Sequence, residues 1–362
     1  MTTKNLFLKF MALLALGLAA IGFNSCNGDD PENIPPTPPP NNLDVYVAGF
    51  EYNAQGREVA KLWKNGVGQN LSDNTFGAVA YSVYVSGSDV YVAGCVYTYN
   101  CYNYYAQLWK NGIAQNLTDS TTSSFSGANS VFVSSSDVYV AGYEYNVQGI
   151  AVAKLWKNGV VQNLTNGTKS AYTNSVFVSG SDVYVAGSEC NAQGREVATL
   201  WKNGVVQNLS DGTFHAEASS VYVSGNDVYV AGSEYNAQGI RVATLWKNGV
   251  AQNLSDGTFA ARAMSVYVSG SDVYVAGSEY TAQQINSVTR LWKNGIVQNL
   301  TTSVFDIGAT SVFVLGTDVY MAGAGYNEQY GYIAKLWKNG TAQNLSDNTV
   351  SAHASSVFVV QP

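Results

Sequence analysis

"LWKNG" at Leu62–Gly66 decides the fold, because it returns at Leu108, Leu155, Leu200, Leu245, Leu291 and Leu336. A second block, "DVYVAG", begins at Asp44, Asp89, Asp137, Asp182, Asp227 and Asp272, with the variant "DVYMAG" at Asp318. A third, SVYV or SVFV, begins at Ser82, Ser130, Ser175, Ser220, Ser265, Ser311 and Ser356. Successive second blocks lie 45, 48, 45, 45, 45 and 46 residues apart. Self-similarity at such a period is a repeat architecture, and this length suits four short strands per unit.

Turn chemistry sets the strand boundaries. "SVYVSGSDVYVAG" is two β-rich runs joined by Ser-Gly-Ser-Asp. Asn65-Gly66 and its equivalents are the preferred pair for a type I′ hairpin turn, in which both residues take positive φ. "EYNAQGRE" reads as a type I turn closed by a left-handed Gly56. Each unit therefore carries strand A (SVYV), B (DVYVAGSEY), C (VAKLWK) and D (VVQNL). Leu62 and Trp63 fall on opposite faces of strand C, because side chains alternate along a strand.

Repeat number, turns and strand order resemble those of seven-bladed β-propellers over residues 43–362. That resemblance implies that Trp63 and its six equivalents fill the wide outer gaps between blades, with Lys64 reaching solvent. Seven tryptophans in a ring could mark a ligand site, but identical repeats favour packing, where large aromatics contribute most. The chain opens its first unit at strand B (Asp44) and ends on a strand A (Ser356–Val359). The expected fold is thus all-β, seven blades of four antiparallel strands, the first blade closed by the C-terminal strand. Closure removes free sheet edges. An open β-solenoid, the alternative, leaves the split unit unexplained.

The first 25 residues read as a signal peptide. Lys4 and Lys9 precede an apolar run, Phe10–Phe23, that is short for a membrane span and ends beside small residues. "FNSC" resembles a bacterial lipobox, which implies lipidation of Cys26. The following "NGDDPE" resembles the surface-export signal of Bacteroidetes-type lipoproteins. The resemblance implies a chain anchored to the outer membrane by lipid alone and facing outward. Residues 26–42 form an acidic, proline-rich tether: six of the seven prolines lie between Pro31 and Pro40, a stiff spacer unable to build a core.

The full chain carries a net charge of −7; without Lys4 and Lys9, 16 basic and 25 acidic residues remain. Seven of the basic residues are the LWKNG lysines, so no basic patch is left for nucleic acid. A monomer without a cofactor is expected. Cys95 and Cys101 flank one hairpin loop and could bridge in an oxidising compartment. Cys190 stands where other units carry tyrosine.

Marks of catalysis are sparse. His215 and His353 occupy different phases of the repeat, and no Cys/His cluster has zinc spacing. "SDGTF" at Ser210–Phe214 and Ser255–Phe259 resembles the Asp box of sialidases only in part, and turn formation accounts for it. Glu51, Glu144, Glu189, Glu234 and Glu279 recur at the end of strand B, where the expected register sets Glu51 opposite Val59. Their repetition argues for a solvated rim rather than for acid–base chemistry. "NLS" and "NLT" at each strand D match a glycosylation sequon but read as strand ends. Asp119-Ser120-Thr121 resembles an O-glycosylation motif of Bacteroidetes exported proteins, with Ser120 as acceptor.

Function is sought where the units differ, since variable loops on a rigid scaffold carry it. The B–C and D–A loops open on one face and vary. The largest departures are "CVYTYNCYNYY" (Cys95–Tyr105), "TDSTTSSFSGANS" (Thr118–Ser130) and "NEQYGY" (Asn327–Tyr332). Tyr99, Asn100, Tyr102, Asn103, Tyr104, Tyr330 and Tyr332 offer flat faces for stacking and amides for hydrogen bonds. They lead to the expectation of a surface lipoprotein holding an extracellular glycan or protein without catalysis. A structural or adhesive scaffold is the second reading. The third, an envelope glycan hydrolase or lyase, requires an asymmetric cluster of acid, base and cation at the channel mouth.

Overall fold

The computed structural model describes residues 43–362 apart from 74, 99–102, 120–124, 281, 283–286, 299–305, 328–330, 348 and 362. Its 28 strands form seven four-stranded antiparallel sheets, each ordered A-B-C-D. The first sheet joins β1 (Asp44–Tyr52), β2 (Glu58–Lys64) and β3 (Val67–Asn70) to the last strand of the chain, Ala352–Val360. The second begins with β4 (Gly77–Ser86) as its strand A. The A strands touch one another around the ring, whereas each D strand makes its main contacts with its own strand C. The A strands are therefore innermost and the D strands form the rim. This is the expected seven-bladed propeller, closed by its C-terminal strand.

The recurring blocks turn out to be one clasp per blade. Asn65, at φ 51°, and Gly66, at φ 83°, make the expected turn. Asn65 Oδ1 accepts the Val45 amide at 2.9 Å, and its Nδ2 donates to Asp44 Oδ1 at 2.9 Å. Lys64 does not simply reach into solvent, as the sequence led one to expect. Its Nζ pairs with Asp44 at 2.7 Å and lies 5.2 Å from the centre of the Tyr46 ring. Every blade repeats this arrangement, so DVY and WKN are two halves of a single fastening of strands B and C. Trp63 and its equivalents are buried between blades: Trp109 shares a core with Tyr46, Ala48 and Leu62 of the preceding blade.

Two features of strand A set the centre of the ring. First, Ser82 Oγ accepts the Val131 amide of the next blade at 3.2 Å. The same bond runs around the whole ring and ends with Ser356 accepting from Val83 at 3.3 Å, so closure uses the same contact as every other interface. Second, the residue before each of these serines is the extra one of a β-bulge, as in the step from Ala80 to Ser82. The bulge pushes a strand A carbonyl toward strand B. A Cβ on Gly187 would stand 1.9 Å from the Tyr172 carbonyl oxygen, and the other blades show the same crowding. This is why each unit reads "AG". Bulges bend a strand and re-aim its side chains, and here they do so at the inner edge of every blade.

Candidate functional site

Three residues before each strand A serine, the units stop agreeing. The position holds Val79, Gly127, Tyr172, Glu217, Arg262, Gly308 and His353 in turn. The bulge residue two places on holds Tyr81, Asn129, Asn174, Ser219, Met264, Thr310 and Ser355. Between and beyond these positions the strand is nearly constant. The bulges thus present two diversified levels at the centre of the loop face, on an otherwise repeated scaffold.

Deeper along the same strands lies a ring of aromatic side chains. Tyr84, Phe132, Phe177, Tyr222, Tyr267, Phe313 and Phe358 form an unbroken collar, with neighbouring ring centres 4.6–4.9 Å apart. Their planes turn by 47–53° per step, matching the roughly 51° that a seven-fold axis imposes on rings standing parallel to it. A heptagon of that side sets the ring centres about 5.5 Å from the axis, so the opening is narrower than the roughly 10 Å width of a helix. The collar lies about 13–16 Å beyond the diversified level at the usual strand rise. The loop face therefore opens into a cup with an aromatic floor.

One side of the cup is aromatic. The Tyr172 hydroxyl meets that of Tyr145 at 2.6 Å, and its ring stands edge-on to Tyr143 at 5.1 Å. Tyr81 lies 3.5 Å from the Cys95 sulfur. Burial raises the pKa of Tyr81 well above the ordinary tyrosine value, pushes Tyr143 up to about 12 and Cys95 up to about 11. These groups are neutral at physiological pH. His353 stacks on Phe50 with ring centres 5.8 Å apart, and burial lowers its pKa, so it too is uncharged there.

The other side is charged. Glu217 Oε1 accepts Asn174 Nδ2 at 2.9 Å, and the same amide donates to the Ala218 carbonyl at 3.0 Å. Arg262 is exposed on the next inner strand. Ion pairs near this end of the blades join Glu51 to Lys61 at 2.5 Å, Glu144 to Lys154 at 2.9 Å and Glu279 to Arg290 at 2.6 Å. In the seventh blade the carboxylate has moved to strand A, where Asp306 pairs with Lys335 at 2.5 Å. The fourth and fifth blades carry Thr199 and Thr244 in place of that cation. Burial, followed by the nearby Asp211, raises the pKa of Glu234 in the fifth. The register sets Glu51 opposite Val59, as expected. The recurring glutamates, read from sequence as a solvated rim, are in these three blades paired with strand C.

The residues expected to bind ligand are distributed differently. Tyr104 is a strand residue, stacked between Tyr97 at 4.8 Å and Phe125 at 5.9 Å, so its faces are used in packing. Asn103 contributes its carbonyl to the Thr98 amide at 3.1 Å. Tyr332 is exposed and edge-on to Tyr326 at 6.1 Å. Tyr99, Asn100, Tyr102, Tyr330, Ser120, Cys26 and Cys101 lie outside the described residues. Cys95 is a buried free thiol, and Cys190 is free and half-buried. Sequence reasoning missed Tyr172 and Glu217 and gave no joint role to Arg262 and His353. Aligning the repeats on the strand A serine would have exposed them as the column in which almost every unit differs.

No protein-family model and no curated protein matches the chain in sequence. In structure it is similar to acylaminoacyl peptidase from Pyrococcus horikoshii, with TM-score 0.50, 13% identity, and 85% of this chain covering 51% of that one. A puromycin-hydrolyzing peptidase from Mycobacterium tuberculosis gives TM-score 0.51 and 13% identity, with 84% of this chain on 52% of that one. The β-propeller domain of the trilobed protease from Pyrococcus furiosus, described as having an open velcro topology, gives TM-score 0.51 and 8% identity over 85% and 96% of the two chains. The chain spans about half the length of the first two. At these identities the likeness establishes the β-propeller fold. The expectation of a non-catalytic receptor for a glycan or protein is corrected: the first two neighbours are peptidases and the third is a domain of a protease, and Tyr104, one of the residues expected to bind, is packed.

Proposed function

We propose that this propeller serves in peptide hydrolysis, its loop-face cup receiving the substrate of a hydrolytic system. The observation that carries the reading is the break in symmetry at the cup. Tyr172, Glu217, Arg262 and His353 replace one another at a single position of a repeated strand. A purely structural ring has no need of such variation. Peptidase propellers as the structural neighbours supply the substrate class, and the matched half of those longer chains is the basis for assigning bond cleavage to a partner domain or chain. The lipobox-like "FNSC" and the acidic "NGDDPE" support a lipid anchor at Cys26 and work at the outer surface of a Bacteroidetes-type envelope.

The test is genetic. Cells lacking the chain are expected to hydrolyse a mixed peptide library several-fold more slowly at their surface, as read by mass spectrometry. Complementation restores the rate with the natural chain but not with Arg262→Gln. Equal hydrolysis with and without the chain would remove this function.

A further inference from the structure

The three consecutive positions Tyr172, Glu217 and Arg262 place an aromatic ring, an anion and a cation on neighbouring inner strands at one level. The ion pairs formed near this end of the first, third, sixth and seventh blades leave Glu217 and Arg262 out. Glu217 is nevertheless held: Asn174, from the preceding blade, donates to it at 2.9 Å and is itself fixed on the Ala218 carbonyl. A carboxylate held by an amide from another blade is oriented, not merely solvated. Arg262 brings a planar fork suited to bidentate binding of a carboxylate. Tyr172 is held by the Tyr145 hydroxyl and by the edge contact with Tyr143.

We infer that the cup binds the free ends of a short peptide as a zwitterion. Glu217 takes the α-ammonium group, Arg262 the terminal carboxylate, and the Tyr172–Tyr143 wall an aromatic side chain. The termini of a dipeptide lie about 5–7 Å apart, a span suited to groups on adjacent strands. The aromatic floor keeps longer chains from passing through as anything but a single extended strand. Two opposite charges in one half-enclosed cup also discriminate: a peptide lacking either charge leaves one of them desolvated without a partner. This inference rests on the proposed role in peptide hydrolysis and specifies its ligand.

Isothermal titration of the full chain with the dipeptide Ala-Phe tests it. Saturable binding is expected, with no binding of N-acetyl-Ala-Phe-amide and weaker binding of Ala-Ala. Glu217→Gln and Arg262→Gln are each expected to weaken Ala-Phe binding about tenfold or more, the scale for losing one partner of a charge-assisted contact. Far-UV circular dichroism checks that both variants are folded. Absence of binding, equal binding of the blocked dipeptide, or unchanged affinity in both variants overturns the inference. The readout is separate from hydrolysis. Dipeptide binding in a chain whose deletion leaves surface hydrolysis unchanged would keep the zwitterion site and remove the hydrolytic role.

Discussion

At the scale of single residues, backbone geometry explains more of the repetition than side-chain chemistry does. Gly187 is fixed by the Tyr172 carbonyl oxygen, 1.9 Å from where a Cβ would stand. Gly187→Ala is expected to cost about 3 kcal/mol, the upper range for forcing atoms into a packed site, read as a lower midpoint in urea. Ser135 is the reverse case. It holds φ 55° where five other units place glycine, and a left-handed non-glycine residue costs roughly 1–2 kcal/mol. Set against the greater chain entropy of glycine, Ser135→Gly is expected to stabilise by about 0.5–1 kcal/mol, a gain measurable in the same assay. His353 gives a pH signature. Its folded pKa lies below the ordinary 6.5 because burial disfavours the imidazolium. The unfolded chain therefore binds the extra proton first, and stability falls as pH drops below 6.5. The clasp aspartates, lowered by their lysines, act in a separate and more acidic window: their contribution is present above the unfolded carboxylate pKa and is lost as pH falls through the lowered one. The Tm of the natural protein should drop more between pH 7 and 5 than that of His353→Gln. Parallel curves would show that another group governs this range.

At the scale of strands, the inner and outer edges behave oppositely. The closing strand, Ala352–Val360, pairs with β1 and buries Ala352, Ala354, Val357 and Val359. Deleting Ser355–Pro362 removes that apolar surface, the Ser356 link to Val83, and one side of a sheet. A loss on the order of 5 kcal/mol is expected from the buried area alone, and a truncation that melts with the full chain would disprove the closure role. Strand D, by contrast, is exposed along its length. Val205 is 71% exposed, and Val67, Ile113, Val160, Val250 and Ile296 are exposed at the same position. Open edges with aliphatic side chains favour association. Val205→Lys is expected to raise solubility at high concentration while changing stability by no more than about 0.5 kcal/mol, checked by light scattering beside thermal melts.

At the scale of the whole molecule, near-identical interfaces make folding and function separable. Each blade contributes the same clasp, the same tryptophan and the same serine link, so no single interface governs the ring. Closure makes the units cooperate, because removing one strand exposes two neighbours. A single calorimetric transition is expected for the full ring, and a broader, multi-step one for the Ser355–Pro362 deletion. The loop face departs most from this equivalence, and substitutions at its diversified strand A positions are expected to have little effect on the scaffold.

Much of this was legible in the sequence for a physical reason. Strand period, Asn-Gly turns and repeat spacing are local signals, and seven copies of each reinforce one another. Closure followed from counting half-units at the two ends. The pairing of Lys64 with Asp44 was not legible, although both residues were conspicuous, because they lie 20 residues apart and meet only when strands B and C pair in register. The cup was hidden for a related reason. Val79, Tyr172, Glu217, Arg262 and His353 are scattered through the chain and become neighbours only around a closed axis. Tyr104 and its loop are conspicuous in sequence because aromatic density is high there, but, as the Tyr97–Tyr104–Phe125 stack shows, it is partly consumed in packing. The sequence by itself determined the seven blades, their turns and their closure, because these depend on backbone preferences repeated along the chain. The tertiary structure alone decided which residues gather on the inner strands at one level. The bulges that aim them, and the axis that gathers them, are products of the ring.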